Sequence, residues 1–207
     1  MIVKICGIRS QEMAQAAVSS GADFIGFIFA KSRRYIEPLA AAEIGAAAGM
    51  VKKVGVFVDA PADEVNRIAK LCRLDFVQLH GKESPLYCRS IEFPVIKAWR
   101  FGEDFSVEAA NAYPAELLLI DSWQPGMAGG TGQCFSWELA RAELAGLNKP
   151  FLLAGGIDAV NVGEAVKLLN PYGIDVSGGV EEKGIKSAAK IAEFMTAARR
   201  AERRIKE

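Results

Sequence analysis

The sequence predicts an α/β fold, a single-domain (β/α)8 barrel of the TIM-barrel type over residues 1–207. Three observations predict it. Eight short apolar runs recur along the chain at near-regular intervals, and stretches of helical spacing lie between them. No linker, low-complexity tract or shift in composition interrupts the alternation. An open doubly wound sheet would satisfy the alternation as well, but eight regular units in 207 residues favour closure.

The apolar runs are Ile2–Gly7, Phe24–Phe29, Val54–Val58, Phe76–His80, Val95–Arg100, Leu117–Asp121, Phe151–Gly155 and Ile174–Ser177. Each is short, β-branched or aromatic, and bounded by Gly, Pro or charge, which is the pattern of a buried strand. The last intervening stretch places Ile191, Phe194, Met195 and Ala198 at i, i+3, i+4 and i+7, one face of a helix. Two connections after strands are long: Ala30 to Glu37, and Ser122 to Phe135 with Gly126, Gly129, Gly130 and Gly132. In a barrel such loops lie on the catalytic face.

Composition narrows the function. Lys+Arg 25 balances Asp+Glu 25, so the chain lacks the basic excess of a nucleic-acid or membrane-surface binder. The basic run Arg199-Arg200-Ala201-Glu202-Arg203-Arg204 reads as a solvated helix end whose cations suit the helix dipole. No apolar run approaches the roughly 18 residues that cross a bilayer. Cys6, Cys72, Cys88 and Cys134 form no C-x-x-C pair and read as reduced thiols in a cytoplasm. Neither a P-loop nor a G-x-G-x-x-G opening a helix is present, and a single histidine, His80, gives a metal site little to stand on. The expectation is no cofactor and no metal. His80 itself reads as a substrate contact or a structural hydrogen-bonding residue.

Strand side chains alternate, so Ile2, Lys4 and Cys6 share one face, as do Leu117, Leu119 and Asp121. If those faces point inward, Cys6 and Asp121 arrive together at the barrel mouth, where barrel enzymes keep their chemistry. Paired across the mouth, they are a candidate acid–base couple. Lys4 points the same way as Cys6, where an unpaired charge is costly, so an ion pair with Asp175 on the adjoining strand is expected. A nearby cation such as Lys4 is also expected to lower the pKa of Cys6. The strand ends Gly155-Gly156 and Ser177-Gly178-Gly179 supply glycines where backbone N–H groups can approach a phosphate closely. Gly155, Gly156, Ser177 and Gly178 are therefore the candidate phosphate site.

These residues together resemble the phosphoribosylanthranilate isomerase family of tryptophan biosynthesis. The carriers are Lys4-Ile5-Cys6-Gly7-Ile8, Gly26-Phe27-Ile28-Phe29 with Ser32-Arg33-Arg34-Tyr35-Ile36, Val56-Phe57-Val58 and Gln78-Leu79-His80-Gly81. Further along stand Leu119-Ile120-Asp121, Gly129-Gly130-Thr131-Gly132, Leu153-Ala154-Gly155-Gly156 and Asp175-Val176-Ser177-Gly178-Gly179-Val180-Glu181. The resemblance implies a cofactor-independent Amadori rearrangement of N-(5-phosphoribosyl)anthranilate to 1-(2-carboxyphenylamino)-1-deoxyribulose 5-phosphate. It implies Cys6 as general base, Asp121 as general acid, and Arg34 as the group that meets the anthranilate carboxylate. The implied partner is a small phosphosugar, handled by a monomer or homodimer. Gln133 and Ser187 depart from the Lys and Asp frequent at those family positions. The alternatives are another phosphosugar-binding barrel enzyme and a non-catalytic barrel that binds a phosphorylated ligand.

Overall fold

The computed structural model describes residues 1–102, 105–121 and 137–206. Eight parallel strands close into a barrel in chain order, and β1 meets β8. They are β1 (Ile2–Cys6), β2 (Phe24–Ile28), β3 (Lys52–Phe57), β4 (Phe76–Leu79), β5 (Val95–Arg100), β6 (Leu117–Asp121), β7 (Phe151–Ala154) and β8 (Gly173–Val176). Between them lie α1 (Gln11–Ser19), α2 (Pro38–Ala47), α3 (Ala62–Cys72), α4 (Pro85–Cys88), α5 (Val107–Ala112), α6 (Trp137–Leu144) and α7 (Val162–Leu169), with α8 (Ala188–Lys206) last.

Alternation sorts every strand into two cores. Phe24, Val54, Ile96, Ala98, Leu117, Leu119, Leu152 and Ala154 fill the barrel interior, with Ile2 and Phe76 packed on them. The alternate residues, among them Val3, Ile5, Ile25, Phe27, Leu118 and Ile120, face the helices. Helices complete that outer layer through single faces. Ile191, Phe194, Met195 and Ala198 of α8 are all buried, as their spacing requires. Each large apolar side chain withdrawn from water in this way contributes about 1.5–3 kcal/mol.

Three features differ from the sequence reading. β3 starts at Lys52, ahead of the apolar run, because Lys52 and Lys53 pair with Phe24 and Ile25 although Lys52 is exposed and Lys53 half-buried. β8 starts at Gly173, where a Cβ would lie 2.6 Å from the Ile2 carbonyl, so a glycine there belongs to the strand and not to a turn. After β8 the chain makes a 3-10 turn over Gly178–Val180 and then a short antiparallel hairpin, β9 (Glu181–Glu182) and β10 (Ile185–Lys186). Lys183 and Gly184 turn it with φ of 49° and 81°. The connection Ser122 to Phe135, with its four glycines, Gln133 and Cys134, lies outside the described residues.

Arg199 is more than a solvated helix end. It donates to the Met1 and Gly21 carbonyls and to the Asp23 and Glu202 carboxylates, tying α8 to the start of the barrel. Among the described residues no helix is long and apolar enough to cross a membrane.

Candidate active site

A cavity of about 760 Å3 opens at the C-terminal ends of the strands. Its lining includes all seven residues singled out above: Cys6, Arg34, Asp121, Gly155, Gly156, Ser177 and Gly178. That volume is the size of a small-molecule site.

Cys6 ends β1 with its side chain inward, and it is 5% exposed. The space it occupies depends on Gly26 of β2, where a Cβ would stand 2.8 Å from the Cys6 sulfur. One layer below, Lys4 is fully buried and its Nζ donates to Asp175 Oδ1 at 3.0 Å, the ion pair expected from the strand faces. Burial pulls the Lys4 pKa down, but Asp175 and Cys6 outweigh it and the net direction is up, so Lys4 stays charged. The expected depression of the Cys6 pKa does not follow. Burial pushes the thiol up, Lys4 opposes this, and Asp175 adds a further upward push, so the net direction is up. Lys4 reaches Cys6 with its charge already answered by Asp175.

Asp121 ends β6, held in register between Arg100 and Ala154. Its Oδ2 lies 3.6 Å from Nε2 of His80, the residue that follows β4. Gln78, on the same inward face of β4, places Nε2 2.8 Å from the other ring nitrogen of His80. Gln78 is 1% exposed, and its Oε1 has no partner among the described residues. The sequence reading left His80 between two roles and passed over Gln78.

Arg34 reaches the mouth because the loop after β2 folds back on itself. Tyr35 forms a bridge with Ile28, the Ile36 N–H donates to the Ile28 carbonyl, and Ser32 turns the chain between them. Gly7, at φ +80°, leaves the room: a Cβ there would meet Arg34 Cδ at 2.9 Å. Glu181 then takes one edge of the Arg34 guanidinium, accepting from Nε at 2.6 Å and from Nη2 at 2.9 Å. A planar guanidinium has a second, end-on edge of Nη1 and Nη2 that suits another carboxylate. Gly178 lies near that side, its Cβ position 3.7 Å from Nη2.

Glu181 is the hub of this corner, and residue patterning gave no sign of it. It also accepts from Arg33 Nη2 at 3.0 Å and from Lys186 Nζ at 2.7 Å. Burial pushes its carboxyl up, but the bonds from Arg34 and Lys186 prevail and hold it at about 2. Lys186 continues to the Ser177 carbonyl at 3.0 Å, and the Ser177 hydroxyl donates to the Cys6 carbonyl at 3.1 Å. One chain of contacts thus joins Arg34, the loop after β8 and the end of β1.

The two glycine loops also need their glycines. Gly155 and Gly156 have φ of 87° and 64°, in the left-handed region. At Gly179 a Cβ would sit 2.1 Å from the Ile157 carbonyl, so the loops after β7 and β8 press together backbone to backbone. Among the described residues no three His, Cys, Asp or Glu side chains converge as metal ligands.

Known proteins resemble this chain in sequence and in fold. Residues 3–197 match the family model described as N-(5'-phosphoribosyl)anthranilate (PRA) isomerase. An N-(5'-phosphoribosyl)anthranilate isomerase of Moorella thermoacetica is 47% identical over 202 residues, covering 97% of this chain and 90% of the relative. The crystal structure of phosphoribosyl anthranilate isomerase from Thermus thermophilus aligns with a TM-score of 0.85 at 40% identity, covering 97% and 99% of the two chains. Another isomerase structure, in complex with reduced 1-(o-carboxyphenylamino)-1-deoxyribulose 5-phosphate, aligns at 0.83 and 35% identity, covering 96% and 99%. The chain belongs to the N-(5'-phosphoribosyl)anthranilate isomerase family.

Proposed function

We propose that this barrel mouth converts N-(5'-phosphoribosyl)anthranilate to 1-(2-carboxyphenylamino)-1-deoxyribulose 5-phosphate, a step of tryptophan biosynthesis, with Asp121 as general acid and Cys6 as general base. The observation that carries the reading is the placement of a thiol and a carboxyl on the same sugar-sized cavity, beside two glycine loops. Asp121 gives its proton to the ribose ring oxygen as the C1–O bond breaks, and the anthranilate nitrogen lone pair closes a C=N bond. The Cys6 thiolate then takes the proton from C2, leaving an enolamine. Tautomerisation returns a proton to C1 and removes one from the C2 hydroxyl, giving the ketone. Only protons and electron pairs within the substrate move, so the chemistry needs no cofactor and no metal.

The rest of the cavity binds. Gly155, Gly156, Ser177 and Gly178 cradle the phosphate through backbone donors. Arg34 presents its end-on edge to the anthranilate carboxylate while Glu181 holds the other edge. The enzyme acts in the cytoplasm on a small phosphosugar, as a monomer or homodimer, with no nucleic-acid or membrane partner.

Fluorescence-monitored turnover of synthesised substrate tests the reaction, and single-turnover rates test the roles. Positioned proton transfer contributes about 10²–10⁴-fold. Cys6→Ala and Asp121→Asn are each expected to lose at least about that factor in kcat, with smaller changes in substrate affinity. Cys6→Ser is expected to be poor as well, because a hydroxyl is a weaker base than a thiolate. The chemical step is expected to follow a bell in pH, and because burial pushes the Cys6 thiol up, the limb set by Cys6 ionisation shifts toward alkaline pH. Near-wild-type chemistry in a folded Cys6→Ala or Asp121→Asn enzyme removes that residue from its role.

A further inference from the structure

Gln78 and His80 lie on the inward face at the end of β4, and the reaction as written above uses neither. Their geometry fixes a proton. The Gln78 amide donates from Nε2 to His80 Nδ1 across 2.8 Å. As placed, the amide nitrogen is the atom that faces the ring, and an amide nitrogen can only donate. An Nδ1 that accepts carries no hydrogen, so the proton of the neutral ring sits on Nε2. That nitrogen faces Asp121 Oδ2 at 3.6 Å, a few tenths of an ångström beyond hydrogen-bonding range. Catalytic contacts are often long in the free enzyme and tighten once substrate is bound.

We propose that Gln78 is a positioning residue: it holds His80 in the Nε2–H tautomer, and that N–H faces the Asp121 carboxylate left behind by proton transfer. The proposal rests on Asp121 being the acid. In that role Asp121 carries the proton that passes to the substrate. Once that proton has gone to the ribose ring oxygen, the negative charge lies beside the imidazole N–H. The contact is therefore worth more after transfer than before it, which is the condition for a group to speed a step. The reverse tautomer would turn a ring lone pair toward the carboxylate and oppose the charge.

The sequence contains one histidine, so protein labelled with 15N-histidine gives a single imidazole spectrum. In the neutral ring of the wild-type enzyme Nε2 is expected to be protonated and Nδ1 bare. Gln78→Glu places an acceptor against Nδ1, so the tautomer should reverse and kcat should fall by about tenfold or more, with KM nearly unchanged. Gln78→Met removes the donor without adding charge. It is expected to give a mixed tautomer and an intermediate kcat, and it serves if the glutamate variant does not fold. A wild-type ring protonated on Nδ1 overturns the proposal. So does a reversed tautomer with an unchanged kcat. Failure of the acid assignment shows separately, as wild-type chemistry in Asp121→Asn.

Discussion

At the N-terminal end of the barrel three carboxylates each clasp the backbone N–H of a neighbouring strand, whereas at the C-terminal end Asp175 and Glu181 are held by cations. Asp23 accepts from the Val3 N–H at 2.7 Å, Asp75 from Lys53 at 2.8 Å, and Glu116 from Val95 at 2.6 Å. Cations also join these carboxylates at the wet edge, as in the Lys52–Asp75 pair, whose side chains are 56% and 23% exposed. At the mouth, Asp175 meets Lys4, and Glu181 meets Arg34 and Lys186, with side-chain exposures of 0–9% for all but Arg34. The lower end ties the frame together through groups that water can still screen. The upper end concentrates charge out of water, where its removal is costly and its field acts on a bound molecule.

Breaking the buried pair should show the largest effect. Asp175→Asn leaves Lys4 charged and unanswered in the barrel interior, and it is expected to destabilise the fold by about 3–5 kcal/mol in urea denaturation. Because Asp175 also pushes the Cys6 thiol up, the surviving folded enzyme should show more thiolate absorbance near neutral pH than the wild type. A loss below about 1 kcal/mol would place this pair with the surface pairs and erase the contrast.

Glu181 gives the next effect, through pH. Its folded pKa of about 2 lies below its ordinary 4.5, so it contributes stability that is fully present above about 4.5 and lost as pH falls toward about 2. The difference amounts to about 3 kcal/mol. Measured across that window, Glu181→Gln should lose less stability than the wild type by roughly this amount. Equal acid sensitivity of the two proteins would contradict the assignment. Asp75→Ala, at the other end, should cost only about 0.5–1.5 kcal/mol and leave kcat unchanged. A fall in kcat there would show that the two ends are coupled.

Much of the mouth was legible in the sequence because a strand has period two. Counting back from Cys6 and Asp121 assigned the inward faces, and the same count paired Lys4 with Asp175 across the β1–β8 seam. The boundaries of β5 and β6 match the apolar runs because charge ends both. Lys52 escaped because an exposed strand start carries no hydrophobic signal. The grip of Glu181 on Arg34 spans 147 residues, and no local pattern encodes a contact of that separation. The direction of the Cys6 shift escaped for a different reason. It is a balance of burial against two opposed charges, and sequence shows the charges without the burial.

The carboxylates of the lower end also bear on how the chain assembles. Asp23, Asp75 and Glu116 each precede an even-numbered strand and hold the odd-numbered strand before it, across separations of 20, 22 and 21 residues. Each fastening therefore closes a short loop, at an entropy cost that a two-strand module can meet before the barrel exists. A circular permutant opened between α2 and β3 keeps all three closures short. One opened within α3 turns the Asp75 closure into one spanning nearly the whole chain, and in refolding experiments it is expected to be the slower of the two.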